Sequence, residues 1–229
     1  MRKKSRGKFI VLEGTDGSGK TTQFKLLVNA LSRLGYKVAT VDFPQYSKPS
    51  AYFVEQYLNG RYGSANQVGP YRASLFYALD RFQAANEIKK WLAKGEIVLS
   101  NRFTLSNAGH QGGKIKNTSE RKKYWQWLFN LEYKILGIPK PDLNILIHMP
   151  AGVAQKLVDK KKPRAYINGK KRDVHEADLK HLKQAEQSFL QVSKMFKIPV
   201  VECYQQQKLL TPKEIHNKVF IIIKKQLKK

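Results

Sequence analysis

Cysteine is almost missing from this 229-residue chain; Cys203 is the only one. A single thiol excludes an intramolecular disulfide and a cysteine-built zinc site, and it fits a reducing, cytoplasmic setting. Acidic residues are scarce as well, 17 Asp and Glu against 43 Lys and Arg, for a formal net charge of +26. No apolar run approaches the ~20 residues that cross a bilayer; the longest near the end is Val219 to Ile223. No membrane span is therefore expected. The basic start, MRKKSRGKF, leads straight into a strand-like segment with no small-residue cleavage site, so it does not read as a secretory signal. Apolar residues are plentiful. At 41% hydrophobic and 11% aromatic, the chain has the material for a core over most of its length, which suits one large domain spanning 1–229.

Nine of the basic residues lie in or beside the tails 1–7 and 224–229, leaving +17 on the body. Such an excess suits phosphate-bearing partners, from nucleotides to nucleic acid. A solvated lysine-rich surface accounts for it equally well.

Short apolar, β-branched runs alternate with long amphipathic segments. The runs are Phe9 to Glu13, Lys37 to Phe43, Glu96 to Ser100, Leu143 to His148 and Pro199 to Cys203. Each is nearly continuously apolar, as a strand buried on both faces of a parallel sheet should be. Helices are expected near 20–34, 68–94, 119–137, 174–196 and 211–227. The last has Thr211 as N-cap, Pro212 at the first helical position and Glu214 three residues after the cap. The alternation predicts a doubly wound α/β sheet of about five parallel strands, with ligands at the strands' C-terminal ends. Residues 159–173, DKKKPRAYINGKKRD, break the pattern and read as a mobile basic loop.

The first strand is followed by GTDGSGKTT, Gly14 to Thr22, which fills G-x-x-x-x-G-K-[ST]. Gly14, Gly17 and Gly19 allow the backbone to wrap closely enough for successive N–H groups to point at phosphate oxygens. The next helix adds its positive N-terminal end. Lys20 is placed to reach β- and γ-phosphates, and the Thr21 hydroxyl to ligate Mg2+. A short chain without a second large domain favours a small-molecule kinase over a motor.

Further segments carry a more specific resemblance. FIVLEGTDGSGKTTQ, DFPQY, LFYALDRF, NRFTLSNAGHQGGK, PDLNILIHM and KKRDVHEAD occur in that order over most of residues 7–205. Together they resemble the thymidylate kinase family of P-loop nucleoside monophosphate kinases. The resemblance implies transfer of the ATP γ-phosphoryl group to dTMP, giving dTDP and ADP, with Mg2+, in a cytoplasmic homodimer. It also implies that ATP is held by Gly14, Thr15, Asp16, Gly17, Ser18, Gly19, Lys20, Thr21 and Thr22, with Thr21 and Asp16 at the metal.

For dTMP, the resemblance places Asp16 near the acceptor and Phe43 and Pro44 in the nucleoside wall. Tyr46 reaches the acceptor phosphate. On the helix, Tyr77 or Phe76 lies against the thymine face, with Arg81 at a base carbonyl or the phosphate. Tyr77 and Arg81, four apart, share one helix face. Without the resemblance, Phe76 and Leu79 would read as core and Arg81 as a solvated ion-pair partner. Arg102 corresponds to the acceptor-phosphate clamp, a bidentate guanidinium having the right shape. Ser106 and Asn107, with Gln111, correspond to readers of the thymine edge. In the lid, about 159–176, Arg164 is the chosen transition-state cation among Arg164, Lys170, Lys171 and Arg172. Asp173, His175 and Glu176 face the acceptor sugar and metal waters.

Two departures stand out. The family usually has Asp before the clamp arginine, where this chain has Asn101; if that pattern governs, Asn101→Asp preserves or raises activity. One branch has Arg at the place of Gly17, and the other draws its cation from the lid, as expected here. No general base is required, because a phosphate acceptor is already ionised near neutral pH. Two alternatives stay open: a kinase for another nucleoside monophosphate, and a kinase-like protein that binds nucleic acid through its positive surface, which the intact phosphate loop disfavours.

Overall fold

The computed structural model describes residues 6–46, 48–159 and 179–228. Its central strand is β1 (Phe9–Glu13), buried at every position. Side chains of a strand alternate between faces. Ile10 and Leu12 accordingly enter one core with Leu27, Leu31, Leu99 and Ile145, while Phe9 and Val11 enter another with Ile88, Val98 and Phe103.

From β1 the chain passes through α1 (Lys20–Arg33) to β2 (Val38–Asp42), then through α2 (Tyr52–Leu58) and α3 (Ala65–Ala93) to β3 (Ile97–Asn101). The helices α4 (Thr104–His110) and α5 (Thr118–Phe129) lead to β4 (Leu143–His148). Next come α6 (Ala151–Asp159), α7 (Leu179–Met195), β5 (Val200–Glu202), a small hairpin of β6 (Tyr204–Gln205) and β7 (Lys208–Leu209), and α8 (Pro212–Leu227). The main sheet has the order β2-β3-β1-β4-β5 with every pairing parallel. All five expected strands are present within one or two residues of their expected bounds. The short helices α2, α4 and α6 and the hairpin were not expected.

Two helices depart from their predicted outlines. Helix α3 begins with a capping box between Ser64 and Gln67 and breaks at Gly69, where φ is 74°. Pro70 has no N–H to donate and disfavours helical geometry at the preceding residue. Glycine alone adopts the required turn without strain. The predicted helix over 119–137 becomes α5 followed by a π-helical stretch, Asn130–Ile135. Such wide turns redirect side chains, and this one carries Glu132 to a fully buried position. The Thr211–Glu214 capping box of α8 forms as expected.

Helix α4 rests on α7 at Gly109, where an added Cβ would lie 2.2 Å from the Phe189 ring. Gly109→Ala is expected to lower stability by about 1–3 kcal/mol through overpacking. Urea unfolding tests this, and an unchanged midpoint would contradict the close contact.

Candidate active site

The loop after β1 runs into α1 through Gly19, whose φ of 89° is left-handed. The Lys20 side chain folds back over the loop and is buried. Its ammonium donates to the carbonyls of Gly14 at 2.9 Å and Thr15 at 2.7 Å and to Ser18 Oγ at 3.4 Å. Thr21 and Thr22 are exposed at the mouth of a cavity of about 780 Å³, which Asp16, Gly17, Ser18 and Gly19 also line.

Arg102 enters the same space from the residue after β3. Its φ of 69° is unusual for a residue with a side chain, and strain of that kind collects at functional sites. One guanidinium nitrogen donates to the Gly14 carbonyl at 3.3 Å and to Ser106 Oγ at 3.3 Å, and the other pairs with Asp16. Burial alone would push the Arg102 pKa down, but the Asp16, Glu13 and Asp42 carboxylates hold it above its ordinary value. The guanidinium therefore stays charged.

Beneath it lies Glu13, fully buried, accepting from the Phe103 amide at 2.7 Å, the Ser106 amide at 3.2 Å and Ser106 Oγ at 2.6 Å. Burial raises the Glu13 pKa to about 7 against the lowering effects of Ser106, Arg102, Phe103 and Lys20. Ser106 thus gives its hydroxyl hydrogen to Glu13, so it fixes the arginine's surroundings before it meets any ligand.

The far wall comes from the segment after β2 and from α3. Phe43, Pro44, Tyr46, Tyr77 and Arg81 all line the cavity, and so do Asn107, His110 and Gln111. Phe76 does not line it. Its ring packs with Phe53, Tyr57 and Tyr62, whereas Tyr77, whose ring also meets Tyr57, reaches the cavity lining. Neither half of the structural alternative for this helix holds in full. Leu79 is 46% exposed, and Arg81 is buried rather than solvated. Arg81 forms a two-pronged pair with Glu132, both contacts at 2.6 Å, and Thr104 donates to the same carboxylate. The neighbouring Asp80 accepts from the Gln45 amide at 2.8 Å and from Ser50 at 2.6 Å, which fastens the Phe43–Tyr46 segment to α3. At the opposite end, Met149, Leu157, Leu209, Leu210, Pro212 and Ile215 make an apolar slot.

The thymidylate kinase family model matches residues 12–216. Thymidylate kinase from Mycobacterium tuberculosis is 31% identical over 172 residues, 74% of this chain and 78% of that protein. A probable thymidylate kinase from Pyrococcus abyssi is 27% identical over 228 residues, 97% of this chain and 98% of that protein. The chain belongs to the thymidylate kinase family. Its fold also superposes on a thymidylate kinase from Candida albicans with a TM-score of 0.72 at 21% identity, over 96% of this chain and 92% of that one.

Within the family, both departures acquire a structural setting. At Gly17 φ is 80°, and an added Cβ would lie 2.1 Å from the Ala154 carbonyl. An arginine at this position would force α6 away from the loop. At Asn101, Nδ2 donates to Asp42 Oδ2 at 3.1 Å, so a carboxylate stands beside the amide after all. Arg164, Lys170, Lys171, Arg172, Asp173, His175 and Glu176 fall outside the described residues. The helices on either side of that stretch are joined: the Ala151 amide donates to Glu186, which also holds His148.

Several site residues escaped the sequence reading: Glu13, Asp42, Asp80 and Glu132, together with the apolar slot. Glu13 and Asp42 left a signal, each an acid closing a strand just before a site segment, the glycine loop and FPQY respectively.

A raised Glu13 pKa means that the folded chain holds a proton more tightly than the unfolded one. Stability should therefore fall as pH rises from about 4.5 to about 7 and level off above. Relative to Glu13→Gln, the wild type should lose on the order of 3 kcal/mol over that window. Urea unfolding at several pH values measures the difference, and parallel curves for the two proteins would refute the shift.

Proposed function

We propose that this cavity aligns ATP with dTMP and transfers the γ-phosphoryl group between them, giving ADP and dTDP. The observation that carries the proposal is the meeting of two cations at one carbonyl. Lys20 and Arg102, from opposite ends of the chain's site segments, both donate to the Gly14 oxygen. A cation for the donor tail and a cation for the acceptor phosphate are thereby held side by side, which favours bringing two anions together.

The loop from Gly14 to Thr22 receives the triphosphate through its amides, and Lys20 neutralises the β- and γ-phosphates. The apolar slot beside it takes the adenine. On the acceptor side, Arg102 clamps the dTMP phosphate, and Tyr77 and Phe43 flank the thymine ring, with Asn107 and Gln111 at its edge. Arg81, locked by Glu132, supports the base or the phosphate. An acceptor phosphate oxygen then bonds to the γ-phosphorus as the bond to the β-bridging oxygen breaks, leaving the electron pair on ADP. Among the described residues no group of three or more His, Cys, Asp or Glu side chains forms a metal cage. The oxygen donors Thr21, Asp16 and Asp42 nonetheless suit Mg2+ carried in on the nucleotide. When bound, Mg2+ supplies charge neutralisation along the phosphate chain.

The same reading covers the chain as one kinase domain in a reducing cytoplasm, with a lid at 159–176 supplying Arg164. It also covers a homodimer. Tyr71, Leu75, Leu79 and Phe82 recur on one face of α3 and are between 40% and 50% exposed. Helical spacing places them in a single stripe, and a stripe of large apolar side chains marks an association surface.

Lys20→Ala is expected to abolish dTMP-dependent ADP release while the circular dichroism melt stays cooperative; undiminished turnover would refute the assignment of the loop. Arg102→Ala should lower kcat/KM for dTMP by at least about 100-fold, and a panel of dTMP, dUMP, UMP and no acceptor reads which acceptor is used. Leu79→Asp should shift light scattering from dimer to monomer, and a monomeric wild type would remove the dimer from the proposal.

A further inference from the structure

Asp42 and Asn101 are register partners at the C-terminal ends of β2 and β3, and both line the cavity. Asn101 is only 7% exposed, and its Oδ1 is a buried acceptor with no hydrogen-bond partner. Asp42, by contrast, retains exposed surface. The single contact between them, Nδ2 to Oδ2 at 3.1 Å, fixes the amide so that its oxygen is turned away from the carboxylate. Neighbouring strands lie roughly 4.8 Å apart. The carboxylate that the family pattern expects at position 101 is thus found one strand over, level with it along the sheet.

A neutral amide and a carboxylate so arranged are a poor grip for a phosphate, since the carboxylate repels it. They are a good one for hard cations and their water shells. An unpartnered buried oxygen likewise requires a donor, and the hydrogen of a cation-bound water is such a donor.

We propose that Asp42 is the carboxylate that holds the water shell of the nucleotide-borne magnesium in this chain, with Asn101 Oδ1 as its neutral companion. The negative charge has been transposed from β3 to β2. The inference rests on the phosphoryl-transfer reading of the cavity. Asn101→Asp alone then sets two carboxylates within hydrogen-bond distance, where like charges oppose joint ionisation. It brings no gain in metal affinity, contrary to the expectation from the family pattern alone.

The test uses the full chain with saturating ADP and Mn2+ as the probe, bound metal being read from the loss of the free-ion paramagnetic resonance signal. Asp42→Asn should weaken Mn2+ binding about tenfold or more. The transposed double variant, Asp42→Asn with Asn101→Asp, should return it to within a few-fold of wild type, and Asn101→Asp alone should not tighten it. Wild-type affinity in Asp42→Asn would overturn the proposal. So would a double variant that melts like the wild type without recovering the metal. If Asp42→Asn does not fold, the comparison of the double variant with Asn101→Asp decides. Metal-free ADP binding by calorimetry reads the phosphate loop separately. Its absence from the wild type would bring down the phosphoryl-transfer reading, whereas intact ADP binding with unchanged Mn2+ affinity would sink only the role of Asp42.

Discussion

Two positive side chains would ordinarily repel each other, yet Lys20 and Arg102 converge on the carbonyl oxygen of Gly14. The surrounding protein makes that arrangement tolerable. Asp16 pairs with the guanidinium and the Asp42 charge acts on it, while Glu13 beneath it adds its own negative charge once it ionises at about pH 7. With so few acids in the chain, their concentration here is informative. They gather the cations into a fixed geometry, and the cations are what two phosphate-bearing ligands need if they are to approach each other.

Around this charge cluster the rest of the site is built as a set of braces. Ser106 links Arg102 to Glu13, Glu132 holds Arg81, and Asp80 holds the segment carrying Phe43, Pro44 and Tyr46. Each brace ties a loop or short helix to another element of the fold. Side chains that line the cavity are thereby locked by the partners around them, which keeps their geometry from relaxing. The π-helical turn after α5 belongs to the same scheme, since it carries Glu132, which pairs with Arg81 of α3.

The close approach of α6 to the phosphate loop has a chemical consequence. With the Ala154 carbonyl against Gly17, no side chain fits at that position. The stretch between α6 and α7 carries a dense run of lysine and arginine in the sequence. Backbone packing at one glycine thus keeps any side chain out of this point of the phosphate loop.

Local patterns were enough to establish the parallel sheet, its five strands, the phosphate loop and the helix over the chain's end. Each of these depends on hydrophobic period, glycine placement or capping, which act over a few residues. The candidate acceptor-contact residues were named by the family resemblance that short motifs carry, not by these local rules. The choice of Tyr77 over Phe76, the burial of Arg81 and the pairing of Asp42 with Asn101 were legible in none of them. Tyr77 and Phe76 are adjacent and both meet Tyr57 of α2, and only the closed fold shows which of them lines the cavity. Arg81 and Glu132 lie 51 residues apart and meet only once α3 and the π-helical stretch have packed together. Asp42 and Asn101 are brought level by strand register alone. Contacts of that kind depend on where distant segments end up, and their energies, desolvation above all, exist only once the chain has closed around them.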